Sequence, residues 1–218
     1  MEAINVVCLF WGDAYDISYV RNLKNATEKY LPVAHTFNIL TNRRDLDTEL
    51  SAMGRVIYVP DTKYIKPWWH KIWMFSPEST LSGQILYFDL DIIYTGDLSV
   101  FIPQTDQLHI IHDFNRARIP NINLSNSSIM SWPHSKYTCL WKQFNSAQSQ
   151  YINTMHGDQD FIHKYATDRQ WYPAEFAVSY KWEYLIQKNY GPNSRAIVFH
   201  GRPKPHEVED KIVTYWLG

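Results

Sequence analysis

Residues Ile85 to Phe88 are apolar at every position, and the run stops at Asp89-Leu90-Asp91. A strand that is apolar on both faces has to be covered on both, which places it centrally in a sheet flanked by helices. The chain ahead of it fits that demand. Ile4 to Phe10 is another continuous apolar, β-prone run, and it breaks at Trp11-Gly12-Asp13. A polar stretch follows in which Tyr19, Leu23, Ala26 and Tyr30 recur at spacings of four, three and four, the single apolar face of a helix that Pro32 ends. Thr36 to Thr41 and Val56 to Val59 read as further strands, and after a loop Pro67 suits the first turn of a helix whose inner stripe is Trp69, Ile72 and Trp73.

Strands alternating with helices predict an α/β fold with a mainly parallel central sheet and flanking helices. In such sheets the ligand crevice lies at the carboxyl ends of the strands, here Trp11-Gly12-Asp13, Thr41-Asn42 and Asp89-Leu90-Asp91. Beyond residue 100 the pattern loosens into short runs at His109 to Ile111 and Ser128 to Met130, a helix over Asp158 to Tyr165 and a late strand at Ala196 to Phe199. A chain of 218 residues suffices for one well-buried core and is short for two, so a single domain over 1–218 is expected.

Charge narrows the ligands. With 21 basic and 22 acidic residues the net charge is −1, so no global field draws nucleic acid or an anionic membrane, and an anionic ligand must be held locally. Cys8 and Cys139 are too few for a disulfide framework, and no segment approaches the ~18 apolar residues of a membrane span, so a cytoplasmic protein without a transmembrane segment is expected.

Alternation along an extended strand would put Asp89 and Asp91 on one side, converging on a single cation. Two carboxylates that close repel unless a counter-charge joins them, and hard oxygen donors suit Mg²⁺ or Mn²⁺. The same residues also read as a polar strand end. In Ala196 to His206, metal-type and phosphate-type groups again follow a strand: His200 as a further metal ligand or a hydrogen-bonded strand-end histidine, Arg202 and Lys204 against a diphosphate, and Gly201 for close backbone approach. In His156-Gly157-Asp158-Gln159-Asp160, Asp158 as N-cap and Asp160 against the helix dipole explain the two acids, whereas capping leaves Gln159 unexplained.

Taken in order, five motifs resemble the GT-A-fold glycosyltransferases, specifically the family 8 enzymes that include glycogenin and bacterial lipopolysaccharide galactosyltransferases. These are Lys71 one helix upstream of the acid pair, Tyr87-Phe88-Asp89-Leu90-Asp91, Leu124-Ser125-Asn126-Ser127-Ser128-Ile129-Met130, Gly157-Asp158-Gln159-Asp160 and Gly201-Arg202-Pro203-Lys204-Pro205. The resemblance implies a Rossmann-like GT-A domain, with residues 1–100 holding the nucleotide and 101–218 the donor sugar and acceptor. It implies Mn²⁺ or Mg²⁺ on Asp89 and Asp91, and a nucleobase near Phe10, Trp11, Gly12 and Tyr15, with Leu90 and Gly201 also on the donor. Donor-sugar contacts would come from Lys71, Asn126, Asp158 and Gln159, and phosphate contacts from Lys204. The implied reaction is transfer of a hexose from UDP-glucose or UDP-galactose to a saccharide, lipid or protein acceptor, with retention and with Gln159 near the anomeric centre. An inverting reaction would need a carboxylate base, for which Asp113 or Asp160 are candidates. The sequence departs from the family twice: Val198 stands where a third metal-binding histidine is usual, leaving His200 beside Gly201 as the nearest, and His206 replaces an aromatic residue after Lys204-Pro205.

Two other readings compete. An apolar strand ending in Asp-x-Asp is also the nucleophile motif of haloacid-dehalogenase-like phosphatases, with Asp89 as nucleophile. Against it, the pair follows a complete βαβ unit, and Ile93 stands where that motif has threonine. A non-catalytic carbohydrate-binding module would use exposed Trp68, Trp69 and Trp73, but it has no need of clustered acids facing a basic loop.

Overall fold

The computed structural model describes residues 4–60, 66–103, 105–119 and 121–217, the last without its side chain. The connection expected between Val59 and Pro67 lies largely outside the described residues. Four parallel strands, β1 (Ile4–Phe10), β2 (His35–Thr41), β3 (Arg55–Tyr58) and β4 (Gln84–Phe88), stand in the order β3-β2-β1-β4. β5 (Ile92–Tyr94) departs from this sheet, while β6 (His109–His112), β7 (Ser125–Pro133) and β8 (Gln170–Trp171) extend it to seven strands ending β4-β7-β6-β8. β7 runs antiparallel to β4 and β6; the remaining pairs are parallel. A second sheet joins β5 to β9 (Ala177–Ser179) and β10 (Ala196–Val198) in the order β5-β10-β9.

The two-sided apolar strands are explained by what covers them. In β1, Val6, Cys8 and Phe10 face a core that includes Tyr19, Val20 and Leu23 of helix α1 (Ser18–Tyr30). Val7, between them, faces a second core with Trp69, Ile72 and Trp73. Those three belong to Pro67–Phe75, a 3-10 helix. The remaining α-helices are α2 (Asp47–Ser51), α3 (Thr138–Ser146), α4 (Gln148–Thr154), α5 (Asp158–Tyr165) and α6 (Thr214–Leu217). Among the described residues no helix is long and apolar enough to cross a membrane.

One expected detail differs. The strand before the acid pair ends at Phe88, and the chain bends through Leu90 and Asp91. Asp89 N still donates to Ser128 O of β7 at 2.8 Å, whereas Asp91 O already accepts from Phe199 N beside β10 at 3.0 Å. The chain crosses from one sheet to the other between the two acids, so simple strand alternation does not set their side-chain directions.

Candidate active site

The bend opens onto a cavity of about 660 Å³ at the carboxyl ends of β1 and β4. Trp11, Tyr15, Lys71, Asp89, Leu90, Asp91, His200, Gly201 and Lys204 line it. Residues spread over the chain from 11 to 204 thus meet in one place, whereas Gly12, Asn126, Asp158 and Gln159 do not line this cavity. Phe10 does not line the cavity; it is 1% exposed and packs in the core beneath.

Asp91 is buried and accepts from Tyr15 Oη at 3.0 Å and from the Lys204 ammonium. Burial, and then the charge of Asp89, push its pKa above the usual carboxylate value, while Lys204 and Tyr15 pull the other way. Asp89 accepts from Tyr87 Oη at 2.5 Å and lies 2.9 Å from Lys71 Nζ. Two carboxylates this close call for counter-charge, and here the Lys71 and Lys204 ammonium groups supply it. Hard oxygen donors at this spot fit Mg²⁺ or Mn²⁺ with coordination positions left for phosphate oxygens.

His200 is not brought into a metal-ligating group with this pair. Among the described residues no three His, Cys, Asp or Glu side chains cluster so as to hold a metal. The imidazole stacks on Phe114 with ring centroids 4.8 Å apart, and its Nε2 is 2.7 Å from Ser179 Oγ. Burial, followed by the nearby Lys181 charge, pushes its pKa down to about 4, so it is neutral near pH 7. A metal bound here would have Asp89 and Asp91 as its protein ligands, without His200. Arg202, also weighed for the phosphates, has a side chain 82% exposed and paired with Glu207.

Below the acid pair, Lys71 sits 3.7 Å from Asp158 Oδ2 and 3.3 Å from Ser127 Oγ. Burial opposes its charge, but Asp158 and Asp89 together overcome this and hold the pKa above the ordinary lysine value. Asp158 is not the N-cap that its position suggested, since Gly157 takes that place. Its carboxylate accepts from Ser127 Oγ at 2.6 Å, and burial raises its pKa against the opposing pull of Lys71. Asp160 accepts from His156 N at 3.3 Å. Gln159 accepts from Asn126 Nδ2 and donates to Asp113 Oδ2, each at 3.3 Å, so three side chains of different motifs orient one another.

At the other end, the Trp11 ring stacks on His70 with centroids 3.5 Å apart. Gly12 has φ +66 with open space where a side chain would stand, and its N donates to Asn42 Oδ1 at 2.9 Å. Asn42 was expected only as part of a strand end bordering the crevice, and Tyr87 and Ser127, one or two positions from Asp89 and Asn126, had no role assigned; only the fold shows which polar groups turn toward the site. Gly201 has φ +70, and a Cβ there would stand 3.3 Å from Lys181 Nζ. Gly201→Ala is expected to cost about 1–2 kcal/mol for a left-handed residue with a side chain, seen in calorimetry as a Tm drop of about 2–8 °C. An unchanged Tm would contradict the strain.

No family model matches the sequence, and no curated protein sequence matches it. Solved structures do. An active-site mutant of LgtC, glutamine to glutamate, superposes with TM-score 0.70 at 15% identity, over 92% of this chain and 89% of that one. The galactosyltransferase LgtC in complex with donor and acceptor sugar analogs gives TM-score 0.67 at 15% identity, covering 97% and 91% of the two chains. The glycosyltransferase GlyE of Streptococcus pneumoniae TIGR4 gives 0.69 at 14% identity over 99% of this chain, which spans 60% of that protein's length. The chain has the GT-A fold of these proteins.

Proposed function

We propose that the chain is a divalent-metal-dependent glycosyltransferase that moves a hexose from UDP-glucose or UDP-galactose to a saccharide, lipid or protein acceptor with retention. The observation that carries this reading is the bend between the two sheets, which brings Asp89 beside the Lys71 ammonium and Asp91 beside that of Lys204 in one cavity. A site for a simple anion would have no use for a buried carboxylate beside a half-buried one, and a site for a cation alone would not place ammonium groups on them. A metal diphosphate uses both.

In this reading Mn²⁺ or Mg²⁺ on Asp89 and Asp91 supplies positive charge at the diphosphate. Lys204 exchanges Asp91 for a phosphate oxygen, for which its 22% exposed side chain has freedom. As the bond from the anomeric carbon to the diphosphate oxygen breaks, its electron pair moves onto that oxygen, the acceptor hydroxyl oxygen bonds to the anomeric carbon and passes its proton to the departing oxygen, and Lys204 strengthens its hold there as charge grows. Lys71 holds Asp89 and Asp158 in place through its ammonium. Trp11 offers an aromatic face to the base. Asn126 and Asp113 fix the amide of Gln159, which is assigned to the donor sugar. That LgtC has an active-site glutamine supports the assignment.

The test is release of nucleoside diphosphate from UDP-glucose, UDP-galactose and GDP-mannose, with Mn²⁺ and with chelator. Metal-dependent release from at least one donor is expected. Release from none, or metal-independent sugar binding without nucleotide binding, would overturn the reading. Hydrolysis of an aryl phosphate in place of a sugar nucleotide would favour the phosphatase.

A further inference from the structure

We propose that Lys181, which no motif singled out, is a further phosphate-binding residue, whose ammonium meets the diphosphate across the Gly201 turn. The inference rests on the reading of the cavity as a sugar-nucleotide site.

Strand register brings it there. β9 and β10 pair in parallel with Ala177 beside Ala196, Val178 beside Ile197 and Ser179 beside Val198. Continued past the strand ends, the match holds at Tyr180 and Phe199, whose rings stack with centroids 4.0 Å apart. Lys181 follows in the helical turn Tyr180–Ile186 that begins where β9 ends, and its charge reaches His200 beside Gly201. Its Nζ lies 3.3 Å from where a Cβ on Gly201 would stand, so the bare glycine is what lets the ammonium close on the turn. Gly201 itself lines the cavity beside Lys204.

The backbone under Lys181 is held from several sides. Ser179 N donates to Glu183 Oε2 at 2.8 Å, Trp182 N donates to Ser179 Oγ at 3.1 Å, and the same hydroxyl meets His200 Nε2. Glu183 is anchored in turn on Arg116 at 3.0 Å. A cation on so fixed a base would ordinarily face a carboxylate. Among the described residues, however, no ion pair involves Lys181, while Lys71 and Lys204 are both engaged. Burial and then Lys204 lower its pKa, the direction expected of a cation held near another cation. His200, neutral and tied to Ser179, gives it no counter-charge.

Charge balance gives the placement a use. The departing nucleoside diphosphate bears one charge more than it did when bonded to the sugar. With its Nζ 5.8 Å from the Trp182 ring and no carboxylate paired with it among the described residues, Lys181 responds to that increase without first breaking an ion pair.

The experiment measures binding of UDP with Mn²⁺, and of inorganic pyrophosphate with Mn²⁺, to the whole chain by calorimetry, together with donor hydrolysis at two salt concentrations. Lys181→Met is expected to weaken both ligands on the order of tenfold, as for a lost hydrogen bond to a charged group. The loss should shrink as salt screens the charge, with Lys181→Arg recovering most of the affinity and Tm unchanged. Lys29→Ala removes the same charge at the exposed last turn of α1, away from the strands' carboxyl ends, and is expected to leave both affinities as they are. Wild-type affinity in Lys181→Met, or equal loss in Lys181→Arg, overturns the role of Lys181 while leaving the functional reading intact. No binding of either ligand by the wild-type chain overturns both.

Discussion

Asp91→Asn is expected to lower metal-dependent release of nucleoside diphosphate on the order of 10³-fold in kcat/KM, with Tm unchanged or raised. The two halves of this result have one cause. Asp91 is buried, and its burial and the neighbouring Asp89 both resist its ionisation. Asparagine fills the same volume without the charge, which removes the desolvation cost and the repulsion together. Lys204 loses its partner, but its partly exposed side chain can turn to water. What the variant cannot do is hold a divalent cation between two carboxylates. A group kept for stability would show the opposite pattern, a lower Tm with activity retained. Full metal-dependent turnover in Asp91→Asn would remove the acid pair from the mechanism.

Lys71→Met should unfold far more easily, by about 3–5 kcal/mol, equivalent to a Tm drop of roughly 6–20 °C for a chain of this size. Lys71 is 7% exposed and stands between Asp89 and Asp158, so its removal leaves buried carboxylates with no cation. The penalty depends on pH, with a definite sign. Asp158 already has a raised folded-state pKa, so whatever it contributes to stability is present below its unfolded value and lost as pH rises through the folded one. Lys71 opposes that shift, and without it the pKa rises further. Its own raised pKa leaves it fully charged across this range. The Tm gap between wild type and variant should therefore be wider at about pH 8 than at about pH 5. Equal gaps at the two pH values would assign the loss to packing. Lys71→Met combined with Asp158→Asn should recover much of the stability, since it removes one of the stranded charges.

Much of the sheet was legible because burial on two faces leaves a compositional mark. The continuous apolar runs at Ile4 to Phe10 and Ile85 to Phe88 became neighbouring parallel strands, and the apolar stripe beginning at Tyr19 became the buried face of α1. Later elements were harder to read. β7 is the nine-residue strand Ser125–Pro133, and its sequence begins Ser-Asn-Ser-Ser. Those residues are buried because they serve the site: Ser127 bonds Asp158, and Asn126 bonds Gln159. A polar strand inside a core reads as a loop when only hydropathy is considered, so only Ser128 to Met130 stood out.

The sequence by itself singled out the residues on which the proposed chemistry rests. Asp89, Asp91, Lys71, Gln159 and Lys204 follow one another at motif spacings, and acids that stop an apolar strand need a counter-charge whatever the fold. Only the tertiary structure decided how those charges pair. Lys71 joins Asp89 to Asp158, Lys204 takes Asp91, His200 turns to Ser179 instead of the acids, and Lys181 arrives unpaired beside Gly201. The physical reason is that periodicity reports a residue's own neighbours along the chain. Coulomb energy depends on distance in space, and here that distance is set by a sheet crossing at residues 89–91 and by the register of β9 on β10.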